Sequence, residues 1–285
     1  MELVTIANDQ LTVTVSPLGA EMQSLVTADG RNWLWSGDPD VWSGRSPVLF
    51  PMVGRAPDDQ LSIEGDRYGM KQHGFARRSG FALAEQSATA CRFVLGASEA
   101  TRAMYPFDFA LSVEHRLEGR AVVVTAEVEN RDHRPMPFGI GFHPAFAWPL
   151  PGAAGDHRVW LDNGGEPALV RLSGGLVKPE RLLSPFRDGA LTLGRELFEA
   201  DAMLFPEGAG AGARYGTDAV QVHLSWENLP NFALWSKPGP FVCLEPWHGT
   251  AAEVDGSDAL EERPYTEVLG PGAVGRYAMR VEVVG

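Results

Sequence analysis

Glu245 ends the run Phe241-Val242-Cys243-Leu244-Glu245 and is followed by Pro246-Trp247-His248-Gly249. Strand alternation puts Phe241, Cys243 and Glu245 on one face. A carboxylate on an apolar face beside a tryptophan is costly unless it is bonded or neutral. Burial raises such a pKa toward a range useful for a base. A structural ion pair with an arginine is the competing role. His143 lies in Gly139-Ile140-Gly141-Phe142-His143-Pro144-Ala145-Phe146. Pro144 biases it to extended backbone, so an imidazole is held by a stiff, uncharged, aromatic wall. That suits an acid or base in an apolar cleft, against a loop histidine bonded to a carbonyl.

His73, in Lys71-Gln72-His73-Gly74-Phe75-Ala76-Arg77, sits in a tight turn that presents polar groups. Arg55 directly follows Phe50-Pro51-Met52-Val53-Gly54. It is either a bidentate clamp on a polar ligand, the favoured reading, or half of a surface ion pair. Of the other histidines, His115 has apolar parity on a strand and is expected in the core. His133 and His157 are flanked by charge and expected at the surface, and His223 is expected to be exposed. Eight tryptophans suit a cleft that stacks on sugar faces, although core filling explains most of them.

Period-2 alternation supplies the elements that must hold these residues. Phe109, Leu111, Val113, His115 and Leu117 alternate, Glu118-Gly119-Arg120 intervenes, and Val122, Val124, Ala126 and Val128 continue. That predicts a β-hairpin. The same period recurs at Leu11-Val13-Val15, Val220-Val222-Leu224-Trp226 and Tyr277-Met279-Val281-Val283. Helical signals are confined to a turn at Asp38–Trp42 and a short piece at Gly194–Ala200. Repeated crossover helices are missing, which argues against doubly wound and TIM-barrel folds. The expectation is all-β: one large antiparallel β-sandwich over 1–285, with a flexible loop at 207–216.

The 285 residues carry 24 basic and 37 acidic side chains, net −13. That field disfavours nucleic acid and anionic membranes as partners. Two distant cysteines give neither a disulfide framework nor zinc-binding spacing. Residues 135–155 carry no charge, yet five prolines rule out a spanning helix, so a buried or cleft-lining loop is expected. The N-terminal MELVTIANDQ has no secretory pattern, and a cytoplasmic protein is expected. No P-loop, GxGxxG, GxSxG or HExxH motif is present.

Five segments together resemble the aldose 1-epimerase (galactose mutarotase-like) family, in its order and roughly its spacing. They are Phe50–Arg55, Gln72–Arg77, Tyr105-Pro106-Phe107-Asp108-Phe109, Gly141–Phe146 and Leu244–Gly249. The nearer likeness is to the bacterial branch found beside lactose and tagatose genes. The resemblance implies a β-supersandwich and interconversion of the α and β anomers of an aldose, without metal or other cofactor. Carried over by residue, Glu245 matches the general base and His143 the general acid. His73 and Arg55 match sugar-holding residues, with Arg77 and Trp247 beside them in the same motifs. Asp201 loosely matches a hydroxyl-binding aspartate, and Glu199 competes for that place.

Three other readings compete. Arg45, Arg55, Arg67, Lys71, Arg77 and Arg78 outnumber four acids within 45–78, so a hexose 6-phosphate is an alternative substrate. A glycoside hydrolase would need a second placed carboxylate, for which only Asp201 offers itself. A non-catalytic sugar-binding protein would keep the cleft without the proton transfers. Neither the sugar nor the oligomeric state is legible in the sequence.

Overall fold

A computed structural model describes residues 2–285. The alternating segments assemble into a large antiparallel β-sandwich. Its widest sheet has nine strands. In spatial order they are Ala190–Thr192, Arg158–Leu161, Gly212–Gly216, Gln221–Glu227, Val274–Val284, Ala121–Asn130, Phe109–Glu118, Ala90–Gly96 and Ala82–Gln86. The hairpin expected from the sequence lies in this sheet, with Val124 opposite His115. Along Ala121–Asn130 buried and half-buried positions alternate, so one sheet face packs inward.

A second sheet carries the site. Its strands run in the order Met203–Phe205, Asn231–Trp235, Phe241–His248, Ile140–Phe142 and Val48–Leu49. Ala145–Ala147 also pairs with Phe241–His248. A three-stranded sheet of Val4–Ala7, Leu11–Ser16 and Glu21–Thr27 completes the N-terminal side. One cluster of buried apolar side chains draws on all three sheets, from Ile6 to Val283. Among the described residues no helix is long and apolar enough to cross a membrane.

Four expectations need correction. Residues 136–146 are buried as expected, whereas most of 147–155 is half-buried or exposed, and the segment contains three short strands, Met136–Phe138, Ile140–Phe142 and Ala145–Ala147. The prolines break the segment into pieces instead of leaving it a loop. Part of the expected 207–216 loop is the strand Gly212–Gly216, paired on both sides. His157 is buried, because its ring is satisfied by backbone: Nε2 accepts from Leu150 N–H and Nδ1 donates to Gly155 O. His223 is half-buried, 2.9 Å from Gln221 Oε1. His115 is in the core, with Nε2 2.9 Å from Ala20 O, and His133 is exposed. Asp38–Trp42 forms a turn closed on Asp38 O, and Arg195–Phe198 a short 3₁₀ helix.

Candidate active site

The strand Phe241–His248 is the floor of the site. Alternation puts Cys243, Glu245 and Trp247 on one face and turns His248 to the other. His248 there donates from Nδ1 to Asn228 O and lies 3.5 Å from Glu267. On one side of the floor strand Ala233 pairs with Glu245 and Trp235 with Cys243. On the other side the neighbour is interrupted. Gly141 pairs with Trp247, and Ala145 pairs with Cys243. Both pairings belong to one register, which sets His143 opposite Glu245 at the interruption. Pro144 creates the break, and its carbonyl still accepts from Leu244 N–H. Gly141 is needed because a Cβ there would stand 2.4 Å from Trp247 Cδ1.

The two side chains meet. His143 Nε2 lies 3.3 Å from Glu245 Oε2, and both residues are at least 95% buried, with exposures of 5% and 1%. Glu245 Oε2 and His143 Nδ1 have no hydrogen-bond partner. No arginine lies within salt-bridge distance of Glu245 among the described residues. Burial pushes the Glu245 carboxyl well above its ordinary value, with Arg77 and the Trp247 indole acting against it. Burial pulls His143 well below its ordinary value, reinforced by His73 and Arg77. Both charged forms are therefore disfavoured, and the pair holds one proton between its members near neutral pH.

His73 projects from a turn in which its own φ is +65°. Gly74 follows at φ +71°, and a Cβ there would stand 2.1 Å from Phe50 O. Only glycine fits so close an approach. His73 Nδ1 accepts from Gly54 N–H at 3.1 Å. Burial and the cations Arg77 and Arg78 hold its pKa at about 3. The ring is thus neutral, with its proton on Nε2 as a fixed donor. Aromatic rings hem in the imidazole of His143. Trp42 stacks on it at 5.1 Å, while His73 and Trp235 meet it edge-on at 5.6 Å.

These groups line a cavity of about 450 Å³ together with Arg77, Arg78, Asp201, Lys237 and Trp247. That volume is in the usual range for a small-molecule site. The structure thus brings Glu245, His143, His73, Arg77, Trp247 and Asp201 to one cavity. Asp201 lies on its exposed side, with Oδ1 capping Ala202 N–H. Glu199 does not line it. Arg55 does not line it either: its guanidinium pairs with Asp59 at 3.0 Å and donates to Gly174 O. Of the cations expected to form a patch, Arg67 pairs with Asp258 and Arg45 donates to Gln23, so only Arg77 and Arg78 reach the cavity. Sequence reasoning missed Trp42, Trp235 and Lys237, which come from turns and from a strand end. The two tryptophans had only the aromatic richness of the chain as a signal, and Lys237 had none.

The aldose 1-epimerase family model matches residues 2–172. The plasmid-encoded LacX protein of Lactococcus lactis subsp. lactis is 28% identical, over 93% of this chain and 94% of its own length. The X-ray structure of a galactose mutarotase related enzyme from Lactobacillus acidophilus superposes with TM-score 0.92 at 28% identity, covering 100% of this chain and 98% of that one. A galactose mutarotase-like protein from Lactobacillus casei ATCC 334 gives TM-score 0.91 at 27% identity, over 99% and 100%.

Proposed function

Since the chain belongs to the aldose 1-epimerase family, we propose that it interconverts the α and β anomers of an aldose in the cavity built on Glu245 and His143. The observation that carries this reading is the unpartnered, buried carboxyl–imidazole pair, 3.3 Å apart, at the cavity floor. Burial leaves its polar atoms for a ligand to satisfy. The galactose mutarotase related neighbour supports the same chemistry.

Ring opening starts once the pair's proton has shifted from Glu245 to His143, which leaves a carboxylate and an imidazolium. Glu245 takes the proton of the anomeric hydroxyl, whose oxygen becomes the aldehyde carbonyl. The bond from the anomeric carbon to the ring oxygen breaks, and the ring oxygen takes its proton from His143. The pair is then carboxylic acid and neutral imidazole, which is the arrangement burial favours. The single proton of the pair has moved, and net charge is unchanged. Rotation about the first carbon–carbon bond presents the other aldehyde face. Reclosure returns both protons and inverts the anomeric centre. Each group supplies on the order of 10²–10⁴-fold. His73 Nε2–H and the Arg77 guanidinium donate to the oxygens on which charge develops, and Trp247 provides an apolar wall. No step needs a metal or other cofactor. The reading takes 1–285 as one domain that works in the cytoplasm.

A phosphorylated aldose is the second reading, favoured by Arg78 and Lys237 lining the cavity beside Arg77. The test is polarimetry on freshly dissolved α-anomers of glucose, galactose, xylose, arabinose and glucose 6-phosphate. Relaxation faster than buffer supports the reading and ranks the sugars. A response to the phosphosugar alone selects the second reading. Binding without acceleration for every sugar leaves a sugar-binding protein and removes the epimerase reading.

A further inference from the structure

His143, Cys243 and Glu245 offer one nitrogen, one sulfur and one oxygen, all within 4.8 Å of one another, from three buried residues. Cys243 is two residues before Glu245 on the same strand face, paired between Ala145 and Trp235. His143 and Glu245 line the cavity, while the thiol lies beneath them and does not. Three strands fix the set, so its geometry is preorganised. Two of its polar atoms, His143 Nδ1 and Glu245 Oε2, are buried without a partner. Donors bound to one zinc ion at about 2.0–2.3 Å in tetrahedral geometry sit roughly 3.3–3.8 Å apart. The side chains therefore need to close by at most about 1.5 Å from the observed spread.

We propose that these three side chains bind a thiophilic divalent transition metal of the Zn²⁺ class, which inhibits the enzyme by ligating its acid–base pair. Charge balance favours the complex. A dication against one thiolate, one carboxylate and one neutral imidazole has zero net charge. In the metal-free protein, burial opposes ionisation of both the thiol and the carboxyl. The ion offsets that cost. Binding forms one bond each to sulfur, oxygen and nitrogen. It releases the thiol proton, and the carboxyl proton where present, to solvent, with no change in oxidation state. The cavity leaves the fourth position to water or a sugar hydroxyl. Arg77 lies near the set and opposes the cation. Spacing along the sequence could not reveal this set, because His143 lies about a hundred residues before Cys243 and Glu245 and meets them only through strand register.

Metal binding stands independently of the proposed function, whereas inhibition rests on it. With Co²⁺ as the probe, the wild type should develop a thiolate-to-cobalt charge-transfer band in the near ultraviolet, and Cys243→Ala should not. In equilibrium dialysis Zn²⁺ should bind Cys243→Ala about 100-fold more weakly or worse, since even outer-shell changes cost 10–100-fold. Zn²⁺ should abolish mutarotation by the wild type and EDTA should restore it. Cys243→Ala should turn over in metal-free buffer and resist Zn²⁺. Should Cys243→Ala not fold, Cys243→Val takes its place, an apolar side chain that fills the site without offering a ligand. The proposal is overturned if Co²⁺ gives no band that depends on Cys243, or if Zn²⁺ binds wild type and variant alike. If the wild type shows no mutarotation at all, the cobalt band still decides the metal site, and only the inhibitory role falls with the proposed function.

Discussion

Glu245→Gln should make the protein more stable and nearly inactive. Glutamine keeps the shape of the protonated acid without the ability to ionise. The wild-type carboxyl is 1% exposed and has no arginine within salt-bridge distance, so burial raises its pKa well above 4.5. The sign follows from linkage. Above about pH 4.5 the unfolded chain has lost this proton while the native state holds it more tightly, so stability is lost as pH rises. Each unit of elevation costs about 1.4 kcal/mol. One kcal/mol moves the Tm of a protein near this size by about 2–4 °C. Glutamine removes the cost, so Tm at pH 8 should rise by at least about 3 °C over wild type. At pH 4 the difference should vanish. Activity should fall by about 10²–10⁴-fold, or roughly 3–5 kcal/mol of barrier, with sugar affinity retained. Thermal melts at both pH values, beside polarimetry, measure all of this. A variant less stable than wild type at pH 8 would refute the claim that Glu245 is held against its own solvation.

Arg55→Ala should leave kcat/KM within about threefold and cost under about 1 kcal/mol, because Arg55 is engaged in an exposed pair with Asp59; Arg77→Ala, inside the cavity, should lower kcat/KM by at least tenfold in the same assay. His115 has a pKa of about 4 instead of 6.5 because of burial. Its neutral form supports the fold above pH 6.5, and that support is lost as pH falls toward 4. Denaturant melts of wild type and His115→Gln should therefore differ by on the order of 3 kcal/mol less at pH 4 than at pH 7. Gly141→Ala would drive a Cβ into Trp247. Calorimetry should show a loss of about 1–3 kcal/mol, accompanied by lower kcat/KM, and an unchanged variant would contradict the packing described.

The sheet was legible because apolar side chains alternate over long runs, as at Phe109–Leu117 and Val122–Val128. Gly212–Gly216 was not, because glycine and alanine carry little alternation although the segment pairs on both sides. His157 looked exposed from its charged neighbours, but local backbone partners satisfy its ring and allow burial. Glu245 and His143 stood out as a carboxylate and an imidazole in apolar runs. Their meeting could not be read, because it depends on one register shared by two short strands a hundred residues away in sequence. Arg55 shows the reverse case. Its partner Asp59 was visible four residues on, and the side chain turns to it instead of to the cavity. Lys237 and Trp42 enter from turns, where no periodicity announces direction.

The most direct test is exchange NMR on an equilibrated aldose, which reads anomer interconversion without any net reaction. Wild type should exchange the anomeric signals far faster than buffer. Glu245→Gln and His143→Asn should each reduce that exchange by about 10²-fold or more while remaining folded. Exchange by either variant at the wild-type rate would contradict the assignment of this buried pair as the acid and base of ring opening.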